Sequence, residues 1–215
     1  MSYMYSWPER LADGAIHILG IVASITATTL LILYAAREGT APDVAAVSVY
    51  GSMAVLAFTA SAAYHMTPWL SLRPLFQRID HAAIYFKIAG TYTPLVVILG
   101  GVFAYAVLAL VWLIALVGAV GKMTQWHKPG ITSTWLYVAM GWLSVVLIGP
   151  MVATLPAAAL ALIVAGGVLY SVGAIFNHWE ELRYNVAIWH GFVLTASTLF
   201  FVAITLSLAA MAQAG

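Results

Sequence analysis

Seven stretches of apolar residues, each closed by a short polar or turn-forming break, set the pattern of this chain. They cover about 14–35, 44–66, 80–99, 102–121, 133–151, 156–176 and 187–211. An α-helix needs about 17–25 predominantly apolar residues to cross the hydrocarbon of a bilayer. The breaks carry the expected stop signals: Arg37-Glu38-Gly39, residues 67–79, Gly100-Gly101, and residues 122–130, 150–156 and 177–185. The pattern predicts an all-α bundle of seven transmembrane helices, with residues 1–215 forming one membrane domain. No long internal repeat or low-complexity tract interrupts it.

Lysine and arginine outside the spans orient the bundle. Arg10, Arg73, Arg78, Lys122, Lys128 and Arg183 fall on one side and Arg37 on the other. Cytoplasmic loops hold the excess of such charges, so the N-terminus is expected in the cytoplasm and the C-terminus outside. Trp7, Trp69, Trp126, Trp135 and Trp179 lie near the expected cytoplasmic boundaries, where amphipathic rings settle. Ala57 with Ser61, and Gly167 with Ser171, are small pairs four apart that let helix backbones approach. Pro94 removes one backbone bond within the third span and predicts a kink.

Composition agrees with the pattern. The chain is 64% hydrophobic and 7% charged, and its mean hydropathy is +1.00. Soluble domains carry about 25% charged residues. A net charge of +1 gives no electrostatic basis for binding nucleic acid. There is no cysteine, which excludes disulfides, thiolate ligands and a cysteine nucleophile. No basic region precedes the first apolar run, so that run reads as a retained span and not a cleaved leader.

Against this apolar background a few polar residues stand out. His17, His65, Asp80, His81 and His190 sit near span ends, and alternate threading places those ends on one face. Ionisable groups in hydrocarbon are costly, so their convergence suggests a built site. Ser61 and His65 are four apart and share a helix face, whereas Asp80 and His81 are adjacent and must diverge. Imidazoles and a carboxylate at the wet end of a bundle are suited to a divalent metal such as zinc. Such a metal acidifies water and polarises a carbonyl, which would serve amide or ester hydrolysis. A hydrogen-bonded polar cluster that tightens the bundle is the alternative. Lys87 lies seven residues after Asp80, on nearly the same face, and helical side chains lean toward the N-terminus. Its ammonium could therefore approach Asp80, or it could line a water-filled gap.

The chain resembles the hemolysin III family of bacterial membrane proteins, within the superfamily of progestin and adipoQ (adiponectin) receptors related to alkaline ceramidases. The matching stretches are ERLADGAIHILG (9–20), SAAYH (61–65), DHAAIYFKIAGTYTP (80–94), YVAMGWLS (137–144), GGVLYSVGAIF (166–176) and YNVAIWHGFVL (184–194). The resemblance implies a seven-helix bundle with a zinc site near the cytoplasmic face of the bacterial inner membrane. The superfamily pattern has a serine and histidine in helix 2, an aspartate opening helix 3, and two histidines four apart opening helix 7. Ser61, His65, Asp80 and His190 match it.

Three positions depart from the match. Val186 stands where the first histidine of the pair belongs, and Leu199 where close relatives carry a further histidine. His17, His81, Asn185, His178 and Glu181 are then possible replacement ligands. Lys87 stands where relatives usually have an apolar residue. Zinc binding is therefore expected to be weakened.

The resemblance implies a role in membrane-lipid homeostasis, with hydrolysis of a lipid amide or ester. His65 and His190 would hold zinc, with Asp80 as ligand or base, Ser61 in support and Lys87 modulating the site. A non-enzymatic sensor or receptor with a degenerate metal site is the alternative, and a pore-forming cytolysin a further one. No rows of charge line a wide conduit, which counts against the pore. A retinal protein is set aside because helix 7 has no lysine. The expected partner is membrane lipid, and the oligomeric state stays open.

Overall fold

The computed structural model describes residues 6–124 and 131–214, and no β-strand occurs among them. The helices are α1 (Trp7–Glu38), α2 (Ala41–Met66), α3 (Arg73–Leu99), α4 (Val102–Met123), α5 (Ile131–Trp142), α6 (Ile148–Thr154), α7 (Ala157–His178) and α8 (Asn185–Ala214). A short 3₁₀ segment, Leu143–Leu147, joins α5 to α6, so these two make one interrupted crossing. Seven helical segments are long and apolar enough to span a membrane. The all-α transmembrane bundle expected from the apolar runs is therefore present. Trp126 and Lys128 lie outside the described residues.

Most helices outlast their apolar runs, because a helix emerging from hydrocarbon keeps its backbone bonds in polar surroundings too. The largest difference is in α3. It begins at Arg73, so Asp80 lies two turns inside it and does not open it. His178, expected in a loop, closes the last turn of α7. Pro94 sits within α3, and the helix continues through it to Leu99.

Local chemistry fixes the helix ends. The Glu9 carboxylate accepts from the backbone N–H of Ser6 at 2.8 Å and from its hydroxyl at 2.6 Å. Asp43 does the same for Thr40, at 2.8 and 2.6 Å. These reciprocal caps satisfy donors that a helix start leaves open. Between α3 and α4 the chain reverses through Gly100 and Gly101, at φ +64° and +79°. A side chain there would meet open space, so the left-handed backbone and not crowding is what calls for glycine.

Helix α3 is the centre of the bundle. More than half of its most apolar window (56%) is buried, against 22% for α1 at the periphery. It packs on α2, α4 and α8 and touches the α5–α6 crossing, while α8 closes against α1 and α7. Where α1 crosses α2, a Cβ on Gly51 would lie 2.2 Å from a Thr28 methyl carbon. This contact admits only glycine, and close approach of this kind substitutes for the hydrophobic drive that lipid does not supply. Ala57 helps to form a small cluster with Ala60 and Ala83 between α2 and α3. Trp142 donates to the Ser171 hydroxyl at 2.9 Å and so ties α5 to α7. Trp7, Trp69, Trp135 and Trp179 are all largely exposed. At one end of the bundle, α1, α3 and α8 begin and α2 and α7 finish.

Candidate metal centre

Asp13 organises that end. It lies one turn before His17 on the same face of α1, and both side chains are buried. Three histidines from three helices turn their Nδ1 atoms toward its carboxylate: His190 at 2.6 Å, His17 at 3.5 Å and His65 at 3.8 Å. The His17 ring lies 4.4 Å from that of His190 and 5.7 Å from that of His65, and the His65 and His190 centroids are 4.7 Å apart. The apolar pattern of the sequence does not single out Asp13. The signal was a carboxylate four residues before a histidine at the edge of an apolar run. Drawing that run from residue 14 left Asp13 outside it.

In the neutral imidazoles these contacts fix the tautomers. His17 Nδ1 lies 2.8 Å from the Asp13 carbonyl oxygen, which can only accept, so the His17 proton sits on Nδ1. His190 Nδ1 donates to the carboxylate in the same way. The Nε2 lone pairs of both rings then face one point, the Ser61 hydroxyl, at 3.2 Å from His17 and 3.3 Å from His190. The buried Asp80 carboxyl also contacts this hydroxyl. Ser61 has one proton to give, so at least one inward imidazole lone pair stays free for a cation.

That surplus of lone pairs suits a metal ion. Asp13, His17 and His190 offer ligand atoms that all lie within 4.8 Å of one another. The carboxylate is already committed to the Nδ1 side of the rings. Metal-binding imidazoles commonly donate their other N–H to a carboxylate, which orients them and raises their basicity. Asp13 suits that supporting place, and the Nε2 atoms suit the metal.

The other candidates fall around this centre in different ways. His17 supplies a third imidazole that Val186, buried beside the cavity, cannot. His81 lies near Tyr64, at 6.4 Å between ring centroids, and its backbone carbonyl accepts from the Tyr137 hydroxyl at 3.2 Å. Asn185 directs its amide to the Asn177 carbonyl at 3.5 Å and so ties α7 to α8. His178 and Glu181 line the same cavity without joining the histidine cluster.

Of the two alternatives open to Lys87, the structure has the second, a side chain that lines a cavity. Its ammonium does not run to Asp80; it donates to the Ser197 hydroxyl on α8 at 2.8 Å and lies 4.5 Å from the Phe58 ring centroid. A long side chain follows the partners that neighbouring helices offer, and these lie deeper in the bundle than Asp80. A cavity of about 910 Å³ joins the two regions and is lined by His17, Ser61, His65, Asp80, Lys87 and His190, among others. Near its rim, Glu9 accepts from the backbone N–H of Tyr184 at 3.2 Å and links the starts of α1 and α8. Tyr184 itself adopts φ +64°, uncommon for a residue with a side chain.

Comparison with known proteins agrees with this architecture. Residues 5–201 match the family described as Haemolysin-III related. The chain is 41% identical to Hemolysin-3 of Bacillus cereus over 194 residues, covering 90% of this chain and 89% of that protein. It is 37% identical to the Hemolysin-3 homolog of Bacillus subtilis (strain 168) over 199 residues, covering 92% and 93%. The human monocyte to macrophage differentiation factor is 27% identical over 163 residues, covering 73% and 67%. The chain belongs to the Haemolysin-III related family and is a multi-pass membrane protein.

Proposed function

We propose that this protein is a metal-dependent hydrolase of the bacterial inner membrane, cleaving a lipid amide or ester in membrane-lipid homeostasis. The observation that carries the reading is the pair of inward Nε2 lone pairs meeting a single hydroxyl, with Asp13 behind the rings and Asp80 beside them. His17, His65 and His190 would hold zinc. Bound there, zinc supplies Lewis acidity toward a carbonyl and lowers the pKa of water.

The protein's own groups do the rest. Asp13 holds the rings in one tautomer. Asp80 takes a proton from the attacking water and returns it to the leaving group, and Ser61 positions the Asp80 carboxyl. The cavity beside these groups, lined by both polar and apolar side chains, would receive the scissile bond. Bound metal with turnover of a lipid amide or ester, both lost in His190→Ala, supports the reading. A metal-free protein that is fully folded refutes it.

The loops carrying the lysine and arginine excess are read as cytoplasmic, which places the site at the cytoplasmic face. A reporter fused at the C-terminus should then report the exterior, and one inserted near Lys128 the cytoplasm. Both reporters on one side would overturn this arrangement.

A second reading is a non-enzymatic sensor or receptor, favoured by one observation. Asp13 already accepts from His190 through its carboxylate and from His17 through its backbone carbonyl, so the cluster has a cohesive polar network of its own. Stoichiometric zinc favours the hydrolase; a metal-free, stably folded cluster favours the sensor. The name Hemolysin-3 borne by the Bacillus relatives raises a cytolysin as a third possibility. Dye leakage from liposomes on adding the purified protein would favour it.

A further inference from the structure

Among the described residues, no opposite charge stands beside the Lys87 ammonium. Lys87 lies seven residues beyond Asp80 on α3, about 10 Å deeper at 1.5 Å per residue. Its ammonium donates to Ser197 Oγ at 2.8 Å. The Ser197 proton goes to the Val193 carbonyl at 2.6 Å, so this oxygen only accepts, from Lys87 and from the Tyr170 hydroxyl at 2.9 Å. The other neighbours are the faces of Phe58 and Tyr170, at 4.5 and 5.4 Å. Among the described residues no carboxylate lies within 4.0 Å of the ammonium.

A lysine inside a membrane bundle is costly, and one hydrogen bond with two aromatic faces compensates it only in part. Such residues ordinarily pair with another ionisable group or face a functional cavity. Here the position is informative. Lys87 lines both the polar cavity of the histidine cluster and a second pocket of about 180 Å³ between α3, α5–α6, α7 and α8. That pocket is walled by apolar side chains such as Leu95, Leu147, Met151, Ile163 and Phe200. Ile84, Tyr137, Trp189 and Val193 also border both spaces, so the two adjoin around Lys87.

We propose that Lys87 anchors the head of a single-chain anionic amphiphile, a long-chain carboxylate, whose hydrocarbon enters the apolar pocket. One ammonium balances one carboxylate. A monoester phosphate carries about −1.5 to −2 charges and would leave excess negative charge in a low-dielectric site. The Ser197 and Tyr170 pair fixes the ammonium without neutralising it, which leaves its remaining N–H groups for the ligand. This inference stands on the cavity and the unbalanced charge, and does not require metal or turnover. Its test reads binding alone, so its failure is distinct from failure of the hydrolase reading.

The test titrates the full-length protein in nanodiscs with the fluorescent fatty acid cis-parinarate and with its methyl ester, each corrected with empty nanodiscs. Lysophosphatidic acid serves as a competitor carrying phosphate. A charge-assisted hydrogen bond should make the acid bind about ten- to hundredfold more tightly than the ester. Lys87→Met should bind acid and ester alike, and Lys87→Arg should keep the preference. Equal affinity of acid and ester for the unmodified protein overturns the proposal, whatever the variants do. So does a preference that survives Lys87→Met in a variant melting at the unmodified temperature. Lysophosphatidic acid displacing the probe at tenfold lower concentration than unlabelled fatty acid would overturn the carboxylate assignment and mark a phosphate site.

Discussion

Two polar regions share one cavity in this bundle, and they are built on opposite terms. Around Asp13 a buried carboxylate faces three imidazoles, and two of these, His17 and His190, reach a hydroxyl that touches a second carboxyl. About two turns deeper, Lys87 has one hydroxyl and two aromatic faces and, among the described residues, no counter-charge. The first region is rich in both donors and acceptors and can hold itself together. The second is charged and incomplete. Intramembrane polarity therefore does not have one meaning. A surplus of lone pairs suits a cation, and a surplus of N–H groups suits an anion.

The largest expected effect tests the first region. His190→Ala removes an inward lone pair and the shortest partner of Asp13, and should weaken zinc binding by more than about 100-fold, read by elemental analysis and chelator competition. Undiminished zinc in that variant would mean the metal lies elsewhere. Asp13→Asn should follow, because it removes the charge behind the rings while keeping the shape. Zinc affinity should fall by about 10–100-fold, as is typical when a supporting partner of a ligand is lost. An unchanged affinity would reduce Asp13 to a packing role. Asp13→Ala should in addition lower stability by about 1–3 kcal/mol, since the Nδ1–H of His190 loses its carboxylate acceptor. Chemical denaturation in detergent would measure it.

Smaller effects sharpen the contrast. Val186→His adds an imidazole beside the cavity, but His17 already brings a third ring to the cluster. The gain in zinc affinity should stay below about tenfold, or 1.4 kcal/mol. A larger gain would show that His17 does not act as a ligand. The least effect on metal should come from Lys87→Leu. A single and a double charge about 10 Å apart interact by less than about 1 kcal/mol when the cavity between them screens as water does. Zinc affinity should therefore rise less than about fivefold. A greater increase would reconnect the two regions and restore Lys87 as a direct modulator of the metal centre.

Much of this arrangement was legible before any coordinates. Hydrocarbon imposes a length and an apolarity on each crossing, so the seven spans stand out in the sequence alone. Alternation of those spans brings His17, His65, Asp80 and His190 to one end, because each lies near the appropriate end of its run. Asp13 was hidden for the same reason: hydropathy draws a boundary at charged residues, whereas the helix of α1 continues past them to Trp7. The start of α3 was misplaced in the same way, since helix propagation does not stop where hydrocarbon does.

What the sequence by itself determined, then, is the number of crossings, their alternation and the end at which polarity gathers. These follow from a one-dimensional rule, the cost of polar groups in lipid. Only the tertiary structure decided that Asp13 faces three Nδ1 atoms, that His17 is the third imidazole, and that Lys87 reaches Ser197 and not Asp80. Helical spacing gives the face on which a side chain starts. The direction in which a flexible stem or an imidazole ends is set by partners on other helices, and those partners are far away in sequence: Asp13 and His190 are 177 residues apart, and Lys87 and Ser197 are 110.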